Sequence, residues 1–307
     1  MVLQTFSADD PGTWSQMFAL ARAADAAGVD RLVVSDHVVF GERLEEYSKP
    51  EVGGQAGGKQ PTGPDGHWLE PLTTLSVIAG MTSNVRLGTN IIIAALRRPV
   101  ILAKSAATLD VLSGGRLDLG VGVGWQKEEY DAAGLSFDGR GRLLDHTLEV
   151  CETLWRERRA SYNSPELKFE AIHQMPKPLQ PGGVPIWVAG TLRGSTIKRL
   201  ARWGAGWIPW GPDAADLKES LPRLKDALAK LGRDASDLQV VGHLPGVYDS
   251  SGNMDIPRTM DQVPALAASG ITDFRTFVPL SDAASAEEKL RRMVSGFRAA
   301  VGRPAHS

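Results

Sequence analysis

The run Val33-Val34-Ser35-Asp36-His37 sets a carboxylate and an imidazole side by side at the end of a β-branched segment. An imidazole so placed can donate a hydrogen bond to a ligand carbonyl or act as a general acid near neutral pH. The plainer account is a carboxylate capping a turn and a histidine satisfied by backbone, and position alone leaves both open. A second run, Arg86-Leu87-Gly88-Thr89-Asn90-Ile91-Ile92-Ile93, interrupts an apolar pattern with small and polar residues. A bulge facing a planar ligand has that signature, although pattern alone favours an ordinary buried parallel strand. The third run, Gly120-Val121-Gly122-Val123-Gly124-Trp125, alternates glycines, which leave no side chain between the backbone and a close-lying ring or phosphate. Its spacing is G-x-G-x-G, not the G-x-G-x-x-G of a dinucleotide fingerprint, and it follows three earlier strand-helix units, which disfavours that reading. Finally, Val188-Ala189-Gly190-Thr191 forms a small-residue turn before a predicted helix, chemistry that suits a phosphate.

Other residues have cheaper explanations. His67, His146, His173, His243 and His306 show no metal-ligand spacing with one another or with Cys151, so no metal is expected. Cys151 lies in the amphipathic run Leu148 to Trp155 and reads as a core or interface residue. There is no G-x-S-x-G elbow and no P-loop. Trp203, Trp207 and Trp210 read as strand packing, with Trp210 placed to line a pocket, and Arg97-Arg98 and Arg291-Arg292 read as solvated faces.

Positioning these groups requires a frame, and short apolar runs alternate with helical patterns along the whole chain. Eight strand candidates emerge: Val2 to Phe6, Arg31 to Ser35, Val85 to Ile93, Arg116 to Gly122, Pro185 to Ala189, Gly206 to Trp210, Leu238 to Gly242 and Ile271 to Val278. A helical pattern follows each of them. The last is the clearest, with Leu290, Met293, Val294, Phe297 and Val301 on one stripe and Ser285, Glu287 and Glu288 at its start. Gly28, Gly204 and Gly270 each close a helix before the next strand, which reads as left-handed stops. Strands joined by crossover helices pair in parallel, and eight units predict a (β/α)₈ TIM barrel in one domain over 1–307, ahead of an open doubly wound sheet. Three segments interrupt the rhythm. Residues 38–68, with the cluster Gly53-Gly54-Gln55-Ala56-Gly57-Gly58, and residues 125–140 follow the second and fourth strands on the face where barrel sites are built, so both read as substrate-side lids. Residues 157–183, before the fifth strand, are expected to hold a hairpin pairing Ser161-Tyr162 with Lys168-Phe169-Glu170.

The chain has 307 residues, 34 Lys+Arg against 36 Asp+Glu, and a formal charge of −2, which gives no electrostatic case for nucleic acid or an anionic membrane. One cysteine excludes a disulfide-stapled secreted class and points to a reducing, cytoplasmic setting. The start, Met1-Val2-Leu3-Gln4-Thr5-Phe6 and then Asp9-Asp10, lacks a signal peptide's basic region and its roughly 7–15-residue apolar stretch. No uncharged apolar run approaches the roughly 18 residues of a membrane span.

Taken together, Ser35-Asp36-His37, Val85-Arg86-Leu87-Gly88-Thr89, Ser113-Gly114-Gly115-Arg116 continuing to Trp125, and Pro185-Ile186-Trp187-Val188-Ala189-Gly190 resemble the luciferase-like flavin and deazaflavin oxidoreductases. Gly204-Ala205-Gly206-Trp207 resembles the family's segment before the sixth strand. The Asp-His pair and the turn after the fifth strand resemble the coenzyme F420-dependent branch. That resemblance implies a barrel whose mouth holds the deazaflavin against a non-prolyl cis peptide at Asn90-Ile91. By the same carry-over, Asp36, His37, Asn90, Ile91, Ile93, Gly122, Gly124, Trp125, Glu128, Ala189, Gly190 and Thr191 contact the cofactor, and His37 takes the catalytic role. Trp125 stands where members that reduce a sugar phosphate carry an acid, so that substrate is not carried over. The expected activity is hydride transfer between F420 and a small organic substrate. The alternatives are an FMN-dependent monooxygenase supplied by a partner flavin reductase and a non-catalytic cofactor-binding barrel. The resemblance also implies a homodimer.

Overall fold

A computed structural model describes residues 1–49, 52, 58–278 and 285–301. Most of the glycine cluster, residues 53–57, lies outside the described residues. The chain forms an α/β fold around a curled parallel sheet. Its strands β2 (Arg31–Val34), β4 (Arg86–Thr89), β6 (Leu117–Gly122), β9 (Ile186–Gly190), β10 (Gly204–Pro209), β11 (Gln239–His243) and β12 (Asp273–Arg275) pair in that order, all in parallel. Short β5 (Ile92–Ile93) also pairs with β6. At the chain start, Val2 bridges in parallel to Val33 and to Phe277, and so touches both edges of the sheet.

The local causes are ordinary. Every residue of β6 is buried, as a strand covered on both faces must be. Helix Ser15–Ala27 turns Met17, Leu20, Ala21 and Ala24 inward, and the last helix, Ala286–Ala300, contributes Leu290 and Met293 to the core. Cys151 is fully buried in helix Arg140–Arg156, where burial pushes its thiol pKa up, so it sits in the core as the pattern predicts. Beneath the site, Asp118 accepts from Arg31 at 2.9 Å and from Arg86 at 2.7 Å. Asp273 pairs with Arg31 and with Arg275, and Arg275 donates to Asn90 Oδ1 at 2.6 Å. Buried charge is thus paired and tied to the strand ends above it.

Several expectations need correction. The predicted first strand is split: after Val2 the chain peels away, and β1 (Phe6–Ser7) pairs antiparallel with β3 (His67–Trp68). The predicted strand Val85 to Ile93 is two, β4 and β5, separated by a cis peptide at Asn90-Ile91. Gly28 (φ 78°) and Gly270 (φ 99°) are positive-φ stops, but Gly204 has φ −68° and opens β10. Arg97 is not solvated, since it lies between Asp36 and Glu70. Within the long segments stand a 3₁₀ turn Leu44–Ser48, a helix Lys127–Ala132 and the hairpin β7 (Ala160–Asn163) with β8 (Lys168–Ile172). The hairpin pairs Tyr162 with Phe169, as the sequence suggests.

Candidate active site

The C-terminal ends of β2, β5, β6, β9 and β10 open on one cavity of about 1140 Å³. Asp36, His37, Asn90, Ile91, Ile93, Gly122, Gly124, Trp125, Glu128, Ala189, Gly190 and Thr191 all line it. Proximity does not give them one role.

Asp36 follows β2 and is buried. Its Oδ2 accepts from the Ile93 backbone N–H at 2.8 Å and from Arg97 at 2.6 Å, while Oδ1 accepts from Arg97 at 3.0 Å. The carboxylate is therefore committed to a two-pronged ion pair that holds β5 against β2. Arg97 also reaches Glu70 at 3.0 Å. Burial pushes the Glu70 pKa up, but hydrogen bonds from Thr73 and Arg97 outweigh it and hold it below the ordinary carboxylate value.

His37 turns the other way. Its Nδ1 lies 3.3 Å from Glu129 Oε1, and its ring packs on Phe40 (4.5 Å) and edge-on to Trp68 (4.8 Å) and Trp125 (6.2 Å). The aromatic wall continues through Tyr47, 5.3 Å from Trp125, and through Phe6, stacked 4.4 Å from Trp68. Trp210 donates to the Val52 carbonyl at 2.9 Å and lines the cavity, as anticipated.

The glycines after β6 first make room for protein. A Cβ on Gly120 would collide with the Thr89 carbonyl oxygen, and one on Gly122 would lie 2.8 Å from Ile91 Cδ1. Gly124, at φ 66°, passes close to the Ile93 side chain. The alternation thus admits the cis bend and its two isoleucines, which then present an apolar face to the cavity. Gly190, at φ 137°, turns the chain from β9 toward helix Gly194–Trp203, and the Gly190 carbonyl accepts from Trp207 Nε1 at 2.9 Å.

Charge is unevenly spread around the walls. Arg43 pairs with Glu128 at 2.6 Å and Arg199 with Asp145 at 2.6 Å. The Glu128 pKa is lowered by its hydrogen bond from Arg43, so this carboxylate laces the two long loops together at the rim. Arg140, Arg142 and Arg193 line the cavity near Thr191 and helix Gly194–Trp203, and no ion-pair partner faces them among the described residues. Arg140 lies 3.8 Å over the Phe137 ring, and its buried Nε has no hydrogen-bond partner there. First-turn N–H groups of a helix lack intrahelical partners, so this end of the cavity is donor-rich and cationic.

Sequence reasoning named Glu128 and missed its neighbour. Glu129 is fully buried behind His37, and Arg97 is the hidden partner of Asp36. An acidic doublet on a short helix was the only signal for the first, because successive helical residues point about 100° apart. Among the described residues no group of three or more His, Cys, Asp or Glu is arranged to hold a metal ion, and no helix is long and apolar enough to cross a membrane.

Comparison with known proteins agrees with this frame. The family described as luciferase-like monooxygenase matches residues 2–253. An uncharacterized protein of Mycobacterium tuberculosis is 30% identical over 278 residues, 89% of this chain and 91% of its own. The F420-dependent glucose-6-phosphate dehydrogenase of Segniliparus rotundus is 30% identical over 235 residues, 74% of this chain and 63% of that protein. A monooxygenase from Streptomyces bottropensis, 21% identical, superposes with a TM-score of 0.60 over 94% of this chain and 83% of its own. The chain belongs to the luciferase-like monooxygenase family.

Proposed function

We propose that this protein is an oxidoreductase that uses coenzyme F420 to exchange a hydride with a small organic substrate. The observation that carries this reading is the mixed lining of the cavity, which combines Arg140, Arg142 and Arg193, without ion-pair partners among the described residues, with the rings of His37, Tyr47, Trp68 and Trp125. A deazaflavin with a phosphate and a carboxylate-bearing tail matches that lining, and the 30% identity to an F420-dependent dehydrogenase supports it. The cavity, at about 1140 Å³, exceeds a typical small-ligand pocket of about 300–1,000 Å³ and so has room for cofactor and substrate together.

In this reading Ile91 and Ile93, backed by Gly122 and Gly124, support one face of the ring system. Thr191 and the start of helix Gly194–Trp203, with Arg193 and Arg140, hold the anionic tail. The deazaflavin, when bound, supplies hydride chemistry. The chain's own groups orient the substrate between Trp68, Trp125 and Tyr47, exclude water, and offer His37 for the accompanying proton. Asp36 acts at one remove, by fixing Ile93 and Arg97. We further propose that the sheet is a closed (β/α)₈ barrel, supported by the two bridges of Val2, and that the protein is a cytoplasmic homodimer, which the family resemblance favours.

A second reading, an FMN-dependent monooxygenase fed by a flavin reductase, draws on the likeness to the Streptomyces enzyme. Parallel titrations decide between them. Micromolar F420 binding with much weaker FMN binding is expected. Preference for FMN, with turnover that requires reduced FMN and O₂, overturns the proposal.

A further inference from the structure

We infer that Glu129 is a positioning residue that fixes His37 as its Nδ1–H tautomer and so turns the lone pair of Nε2 toward the cavity. The geometry is specific. Glu129 Oε1 already accepts from the Val38 backbone N–H at 2.8 Å, and His37 Nδ1 lies 3.3 Å from the same oxygen. An oxygen that already accepts from a backbone N–H is placed as an acceptor, and the proposal makes the ring nitrogen facing it the donor. Nε2 makes no hydrogen bond among the described residues, and the ring lines the cavity.

Among the described residues, no other group hydrogen-bonds the ring. Phe40, Trp68 and Trp125 pack against the imidazole without charge. Asp36, one residue before it, is committed to Arg97 and Ile93. On the helix carrying Glu129, Lys127 pairs with Asp131, Glu128 pairs with Arg43, and Tyr130 donates its hydroxyl to the Val123 carbonyl at 2.5 Å.

A purely structural role fits Glu129 poorly. Its side chain is fully buried, yet Oε2 has no partner among the described residues, so a carboxylate is kept dry with half of its accepting capacity unused. Burying a polar group this incompletely satisfied disfavours the fold, and retaining one beside an imidazole points to control of that imidazole. Free histidine prefers the Nε2–H tautomer, so the inference predicts a departure from the default. The tautomer stands independently of the cofactor. Its use in turnover rests on the proposed F420 reaction, in which neutral Nε2 accepts the hydroxyl proton of a bound alcohol.

The test is nitrogen-15 NMR of the imidazoles in the full-length protein at about pH 9, well above the ordinary imidazole pKa near 6.5. His37→Gln identifies the signal among six histidines. The expected result is Nδ1–H for His37 in the native chain, Nε2–H in Glu129→Leu, and retention of Nδ1–H in Glu129→Gln, whose amide oxygen still accepts. Should Glu129→Leu prove unstable, the native tautomer alone decides. An Nε2–H signal in the native protein, or an unchanged signal in Glu129→Leu, overturns the inference. With F420 and an alcohol, Glu129→Leu is expected to lose at least about tenfold in kcat with little change in KM, and Glu129→Gln to recover much of it. The expected tautomers together with a preference for FMN over F420 in the parallel titrations would refute the proposed function and leave the role of Glu129 intact.

Discussion

Asp36→Ala separates a scaffold from a ligand contact. Asp36 makes three hydrogen bonds, two to the Arg97 guanidinium and one to the buried Ile93 N–H. Removing one partner of a buried ion pair costs about 3–5 kcal/mol, and a stranded buried N–H costs about 1–3 kcal/mol. The low end applies to the first figure, because Arg97 keeps Glu70 at 3.0 Å and is 16% exposed. The two losses overlap at one carboxylate, so a total of about 4 kcal/mol is the working estimate. At about 2 °C per kcal/mol for a chain of this size, the melting temperature should fall by about 8 °C. Differential scanning calorimetry of the apo-protein reads that directly, and Arg97→Ala should be far less than additive with it because both remove the same pair. A melting temperature unchanged within about 2 °C, together with a large loss of cofactor affinity, would show that Asp36 touches the ligand and that the scaffold reasoning is wrong.

Four other outcomes follow from the same structure. Gly120→Ala should abolish soluble expression, since its Cβ meets backbone at Thr89, whereas Gly122→Ala, which meets only the Ile91 side chain, should fold and bind cofactor more weakly; equal behaviour of the two would refute the packing account. Asp25 is pushed up by burial but held below its ordinary pKa by N–H groups of Ser83, Val85 and Asn84 and by Arg116. Its contribution is therefore present above the unfolded value near 3.8 and lost as pH falls through the lower folded value. Asp25→Asn should thus cost about 1–2 kcal/mol at pH 7, with the gap closing in acid melts. Arg140→Glu combined with Arg193→Glu should weaken F420 at least about tenfold and flatten the salt dependence of binding, and a salt dependence equal to the native one would remove both from the anion site. Cys151, buried with its thiol pKa raised, should resist alkylation until denaturant is added; labelling of the native protein would place it elsewhere than in the core.

The strands were legible because a parallel strand buried on both faces is an unbroken apolar run, as in Leu117 to Gly122. Their breaks were less so. Nothing in the composition of Asn90-Ile91 announces a cis bond, which came only from the family resemblance, and the departure of Phe6 toward Trp68 depends on a partner some sixty residues away. Charged residues misled most. Arg97 reads as solvated until Asp36 is brought to it, and Glu128 and Glu129 are indistinguishable in sequence although one rims the cavity and the other backs His37. Burial of a charge is decided by tertiary pairing, which local pattern does not encode.

The ties between the two long loops carry a practical corollary. Gly41 donates to Gln126, Val38 to Glu129 and Arg43 to Glu128, while Tyr47 packs on Trp125, so every one of these contacts joins residues 38–47 to residues 125–129. Transplanting either loop alone into a related protein would leave donors, a carboxylate and a ring facing foreign surfaces. The exchangeable part is the pair, and a change of substrate by recombination or by engineering has to move both at once.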